Sequence, residues 1–443
     1  MTAPSIRKRV RLITAATVLA AGLLGAAGAA RAETPPPRDE LLRALIPKPT
    51  GKNGYEDFLL AADRVETTKF WRRDVYPIPL SDCRTILEKP AAREALMLLQ
   101  RGLRKPITVP PPQPDSSAYY DSFGSFRQLM RLLGVKLRLA MAEGRAGEGL
   151  DMVLLGLRFS RAIDDGTFQG TITSAGLRTI ITTVFVEHLE QLSAGDCERL
   201  YRESAPFLAG DSLAPKLLRR EWQEAQESLG ELRQAIRRRG AAAVRDFAEE
   251  HLSFEARDVE PDPDDPGAPE QPEEPEGVLF WRALLQRYGK SPAGMLRFAD
   301  DLEARLRERS QELIAEVAEP WRQGVPSLDR EAAVEDPAGT IVEKMLGMAD
   351  HLSSQVVEWE VQHHLFLIHL ALLRYRWEHD RVPDTLAELA LGDLTFDPFT
   401  GLELKYEPVG TRGFQLYSAG PYTHPYFAET PGERRRIFLR PID

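Results

Sequence analysis

Between Tyr55 and about Ala256, apolar side chains return every third or fourth residue, and turn signals separate one run from the next. A helix built this way carries one apolar stripe and must bury it against a neighbour, so the chain is expected to be mainly α. Tyr55, Phe58, Leu59 and Ala62 form a first short face. Phe123, Phe126, Leu129, Met130, Leu133, Leu137 and Met141 mark a helix ending near Glu143-Gly144, and Leu150, Val153, Leu154, Leu157 and Ile163 mark the next, ending at Asp165-Gly166. Ile172 to Leu192 and Cys197 to Phe207 continue the alternation, while five prolines between Pro106 and Pro114 break it. The expected unit is a repeated helical hairpin, arranged as a bundle or an irregular solenoid. No fixed period of about 34 or 40-odd residues marks a regular repeat array.

The region 258–276 holds nine acidic residues, six prolines and no base, a composition that cannot bury enough apolar surface to order itself. It is read as an acidic, Pro-rich disordered linker between an α-helical domain at 53–257 and a helical region at 277–380. In that second region a break is expected at Lys290-Ser291-Pro292, then a long helix from about Ala338 to His379, with Gly347 as a candidate interruption. Its stretch Leu365 to Leu373 is apolar nearly all round, as in a helix buried against several elements. The period then changes to two: Leu402, Leu404 and Tyr406 alternate with charged residues, and Phe414–Ser418 returns after a glycine-bounded turn. A long C-terminal helix leading into a small antiparallel β-hairpin or sheet is expected, with Ile437–Leu439 as a third strand, so that 381–443 forms a small β tail.

At the N-terminus Arg7, Lys8, Arg9 and Arg11 precede nineteen uncharged residues, Leu12 to Ala30, and then Ala30-Arg31-Ala32. This is the order of a secretory signal peptide, residues 1–32, followed by a linker at 33–52. The alternative is an uncleaved single-span anchor. The expected location is therefore the periplasm or cell envelope, with membrane contact only if that segment is retained. Its removal would take the formal charge from −10 to −15. With 57 basic against 67 acidic residues, a nucleic-acid partner is not expected, and two cysteines leave no room for a zinc ribbon or an iron–sulfur cluster. An oxidising compartment would permit a Cys83–Cys197 disulfide; two separate thiols are the alternative.

The run Ala371-Leu372-Leu373-Arg374-Tyr375-Arg376-Trp377-Glu378-His379-Asp380-Arg381-Val382-Pro383-Asp384-Thr385-Leu386 is followed by Asp397-Pro398-Phe399-Thr400-Gly401, then Leu404-Lys405-Tyr406, then Phe414-Gln415-Leu416-Tyr417-Ser418-Ala419-Gly420-Pro421. Together these resemble the C-terminal domain of type II secretion major pseudopilins. The resemblance implies a helix ending at a tyrosine-rich turn and a D-P-[FW]-x-G loop before a small antiparallel sheet. The whole chain also looks like large exported proteins of planctomycete-type bacteria, whose opening N-x-Y-x-x-[FY] helix is matched by Asn53-Gly54-Tyr55-Glu56-Asp57-Phe58. Two departures limit what carries over. No apolar polymerising helix with an early glutamate follows a leader, and Gly420 to Pro425 offers no carboxylate for the calcium loop of that family.

Among chemical motifs, Glu360-Val361-Gln362-His363 has the E-x-x-H spacing that offers two ligands to a metal from one helix, and His364 lies beside it. Glu360, His363 and His364 are the candidate metal ligands, although no second E-x-x-H exists to complete a di-iron site. His369, inside the apolar run, reads as a hydrogen-bonded core histidine. Asp262 to Glu273 matches an EF-hand loop in spacing, but proline at its second, fifth and eighth positions defeats it. H-E-x-x-H, G-x-S-x-G and the Walker phosphate loop are absent. Arg237-Arg238-Arg239 and Arg434-Arg435-Arg436 read as solvated ends. No cofactor is implied. The expected function is a non-catalytic protein-binding or scaffold component of the cell envelope that contacts other envelope proteins. The alternative is a periplasmic or extracellular hydrolase assembled from distant residues such as Glu187, His188 and Glu190 with the His363 cluster.

Overall fold

A computed structural model describes residues 39–46, 48–65, 78–110, 117–208, 213–252, 276–318, 336–420 and 437–439. The expected signal segment, residues 258–275 of the acidic segment and the Arg434–Arg436 run lie outside them. The helices are α1 Glu40–Leu45, α2 Gly54–Arg64, α3 Leu80–Glu88, α4 Pro90–Gly102, α5 Ser117–Ala142, α6 Ala146–Ala162, α7 Phe168–Val186, α8 Ala194–Leu208, α9 Leu213–Arg239, α10 Ala241–Leu252, α11 Glu276–Tyr288, α12 Pro292–Ala318 and α13 Pro337–His379. Strands β1 Lys405–Val409, β2 Gly413–Ser418 and β3 Ile437–Phe438 follow. They form an antiparallel sheet in the order β1-β2-β3, with Lys405 opposite Tyr417 and Tyr417 opposite Phe438. The protein is thus mostly helical with a small C-terminal sheet.

The described chain divides into two compact units that are interleaved in sequence. A middle unit takes Leu218–Glu316 and the described part of Pro326–Ser353, and a main unit takes the described residues of Ala29–Leu217, Val317–Val325 and Ser354–Asp443. In the main unit α5 is the central helix, packed on α1, α2, α3, α4, α6 and α7. Every residue of its expected stripe, from Phe123 to Met141, is buried. Tyr55, Phe58, Phe123, Phe126 and Phe159 meet edge to face beneath it, at centroid distances of 5.1 to 6.3 Å. Phe366, Leu367, Leu370 and Leu373 of α13 belong to the same core, and Phe366 meets Phe185 at 6.3 Å.

The contact between α2 and α4 is closest at two glycines. A Cβ on Gly54 would overlap the carbonyl oxygen of Gly102, and one on Gly102 would sit 2.6 Å from the Phe58 ring. Gly54 N–H also donates to Pro106 O at 2.8 Å, tying the segment after α4 to the start of α2.

In the middle unit the α9 stripe Leu218, Ala225, Leu229, Leu232 and Ile236 is buried, as are Phe298, Leu302 and Leu306 of α12. Arg233 joins these two helices through Asp300 at 2.8 Å and Glu303 at 2.5 Å. Arg239, in the basic run that closes α9, pairs with Asp246 at 2.7 Å.

Two expectations are corrected. The stretch 33–52 is not linker throughout, because α1 forms there and buries Leu42 and Leu45. Within Ile172 to Leu192, α7 carries the alternation as far as Val186 and a 3₁₀ turn, Leu189–Gln191, follows. Gly347 does not interrupt α13, which runs from Pro337 to His379. Among the described residues no helix is long and apolar enough to cross a membrane, and the run from Leu365 to Leu373 is largely buried in protein.

Candidate functional site

The E-x-x-H segment lies where α13 meets α7. Helical neighbours point about 100° apart, so His363 and His364 face different surroundings. His363 is buried, with Nε2 3.4 Å from the Thr179 hydroxyl of α7. Burial holds its imidazole well below the ordinary value, and Arg178 and His364 press in the same direction. Arg178 donates to Phe207 O at 2.8 Å and to Ser174 Oγ at 3.1 Å, and its own value is lowered by burial, while Asp164 and Glu360 act against that. Glu360 is therefore in electrostatic reach of Arg178. His364 turns toward the β tail, where burial lowers its value against the opposing pull of the Phe396 backbone and the Asp397 carboxylate. Among the described residues no three His, Cys, Asp or Glu side chains gather in a way that would hold a metal ion.

Glu187, His188 and Glu190 lie at the end of α7 and do not join the His363 cluster in any hydrogen bond or ion pair found among them. Glu190 pairs with Arg376 at 2.5 Å, and Arg376 also donates to Arg412 O in the turn between β1 and β2. His188 is buried, with Nδ1 3.2 Å from the Gln191 amide, and burial lowers its value.

Cys83 and Cys197 stand as two separate buried thiols. Cys83 Sγ lies 3.7 Å from Ile78 O, and burial pushes its value up. Burial, followed by Asp196, pushes the Cys197 thiol up to about 12. Neither is poised as a thiolate nucleophile. The native protein is expected to resist a water-soluble maleimide, whereas the chain unfolded without reductant should take up two equivalents; uptake of none in denaturant would reveal a bridge.

The segments that carry the family resemblance are structural ties. Asn53 caps α2: its Oδ1 accepts from Tyr55 N–H and from Thr108 N–H, both at 3.0 Å, and its Nδ2 donates to Thr108 O at 2.6 Å. Glu56 accepts from Thr50 N–H at 2.9 Å and Gly51 N–H at 2.6 Å. Asp57, buried, pairs with Arg101 and Lys105, each at 2.6 Å. At the end of α13, Tyr375 donates to Glu388 at 2.7 Å, and Glu388 forms a capping box with Thr385.

In the D-P-F-T-G loop, Asp397 is 1% exposed and its carboxylate accepts from Phe399 N–H, Ser418 Oγ–H and Ala419 N–H, all at 2.9 Å. Its carbonyl accepts from Thr400 and Gly401, and Gly401 takes φ +63°, which explains the glycine. Asp397→Asn would turn an amide N–H₂ toward one of these donors, and a loss of about 1–3 kcal/mol is expected. Earlier thermal release of the tail, followed by limited proteolysis, would measure it.

Sequence reasoning singled out the D-P-F-T-G and N-x-Y-x-x-F segments but missed their roles as acceptors. It also missed the tie at the start of α7, where Tyr119 donates to Asp165 at 2.6 Å and Thr167 caps the helix through Gly170 N–H. The Asp-Asp-Gly-Thr run before an apolar stretch was the available signal. Compared with known proteins, the chain matches no family model, no curated protein and no solved structure.

Proposed function

We propose that the chain is an exported, non-catalytic component of the cell envelope that acts by binding other envelope proteins. Its support on the side of export is the basic start, uncharged run and Ala30-Arg31-Ala32 order. The observation that carries the non-catalytic reading is that the candidate reactive groups lie apart from one another, each either buried or paired with a group of its own. His363 sits against Thr179, Glu190 is paired with Arg376, and both thiols are buried with raised values. A hydrolase needs a base beside its nucleophile and a third group orienting that base. These residues are spread over the end of α7, the α7–α13 seam, α3 and α8.

Crosslinking and co-purification of the native protein from the cell envelope tests this reading. Stoichiometric envelope partners are expected. A lone monomer that turns over a peptide or glycan panel would replace the binding role with the hydrolase alternative. Mass spectrometry of the mature N-terminus decides between cleavage after Ala32 and an anchor.

A further inference from the structure

Helices α5 and α7 run side by side in the same direction. Near their starts Tyr119 donates to Asp165 at 2.6 Å, and further along a Cβ on Gly134 would lie 3.3 Å from Val184. The backbone stays in the right-handed region through Glu187 and His188, and His188 N–H donates to Phe185 O at 2.9 Å, so the course of α7 carries on to the histidine. Arg138 and His188 each follow the Gly134–Val184 contact by one turn, about 6 Å along each chain, and so stand at the same level.

Both side chains hold a buried nitrogen with no hydrogen-bond partner, Nη1 of Arg138 and Nε2 of His188. The Gln191 amide nitrogen lies 3.2 Å from His188 Nδ1; an amide nitrogen can only donate, so Nδ1 accepts and the ring proton sits on Nε2. Burial keeps this ring neutral, with Arg138 acting in the same direction and Glu187 against it. Two enclosed donors therefore face one level of the bundle with no acceptor. The nearby carboxylates do not supply one. Glu143, further along α5, is paired with Arg84 at 3.0 Å and Arg145 at 2.6 Å, and among the described residues the exposed Glu187 makes no ion pair with Arg138. A guanidinium with an enclosed nitrogen and no counter-charge is costly to keep.

We propose that Arg138 and His188 form a binding site for a small carboxylate, one oxygen accepting from Arg138 Nη1–H and the other from His188 Nε2–H. The single positive charge of the pair matches a monoanion, and two N–H groups match its two oxygens. The site lies just under the surface: Arg138 is half-buried, and Glu187 and Glu190, close to the histidine in the chain, are exposed. A free carboxylate and an acidic side chain of a partner protein both supply this group, and the free form binds whether or not the chain has the envelope role proposed above.

Thermal unfolding of the full chain at about pH 7, where the ring keeps its Nε2 proton, in sodium formate against sodium chloride at equal ionic strength, tests the site. Formate is expected to raise the midpoint saturably and beyond chloride, as a ligand of the folded chain alone does. In Arg138→Met the apparent affinity for formate should fall at least about tenfold. His188→Gln, whose amide still offers a donor, should stay within about threefold of the parent, and His188→Phe should not. The two His188 variants keep the test open if Arg138→Met does not fold. A midpoint no higher in formate than in chloride would overturn the proposal and leave a buried water as the acceptor, and so would a formate response unchanged in Arg138→Met or His188→Phe. A tripeptide blocked at both ends with a central glutamate separates the two sources. A midpoint raised by formate alone marks a free anion, and one raised by the peptide as well marks the side chain of a partner.

Discussion

Replacing Glu221 by methionine is expected to raise the stability of the middle unit at pH 9 by about 3–5 kcal/mol, and at pH 5 by no more than about 1–2 kcal/mol. Glu221 stands in the α9 stripe between Leu218 and Ala225, is 9% exposed, and its Oε2 has no hydrogen-bond partner. Burial, with Glu224 one turn on, pushes its carboxyl up to about 8. The unfolded carboxyl titrates near about 4.3. Between these values the unfolded chain has released a proton that the folded chain keeps. Stability therefore falls as the pH rises from about 4.5 to about 8, then levels off. Methionine fills similar space without a charge and removes that slope. Urea unfolding of both proteins at pH 5, 7 and 9 measures it, and parallel curves across that range would contradict the account.

Gly54→Ala is expected to cost about 3 kcal/mol or more, because the added methyl meets a backbone carbonyl, which cannot swing aside as a flexible side chain can. Either α2 and α4 separate, with loss of the Phe58 packing and the Pro106 tie, or the start of α2 unwinds. Gly124→Ala in α5, where an added Cβ meets nothing within 4 Å, should instead gain about 0.5–1 kcal/mol from helix propensity. Thermal unfolding of the two variants side by side should move in opposite directions; a Gly54→Ala protein as stable as the parent would show that the helix contact is not close.

Much of the fold was legible because helix and strand periods are local properties. The stripe from Phe123 to Met141 and the hairpin around Tyr406 needed no knowledge of partners; the stripe is buried throughout, and the hairpin is present although Leu402 lies before β1 and is exposed. Helix α1 was missed because six residues carry too little pattern to outweigh the prolines around them. The site was less legible for a geometrical reason. His363 and His364 are adjacent in the chain, yet the turn of the helix sends one to the bundle and the other to the tail. Glu221 looks in sequence like a polar interruption of a stripe, and only the packing of its neighbours shows that the carboxyl is enclosed. Asp397 was visible as part of a motif, but its role depends on Ser418 and Ala419, which reach it from the far end of a strand.

The core of the main unit has one wall built from residues that the ribosome delivers late. Helices α2 to α8 are complete by Leu208, but Phe366, Leu367, Leu370 and Leu373 emerge only after the whole middle unit has been made. Until then the nascent bundle presents an open apolar seat beside Phe185, a state prone to aggregation. Closing that seat joins segments far apart in the chain, which makes the final step slow. A polypeptide with this wiring cannot complete the core of its main unit until α13 has been made, however early the rest of that core is in place.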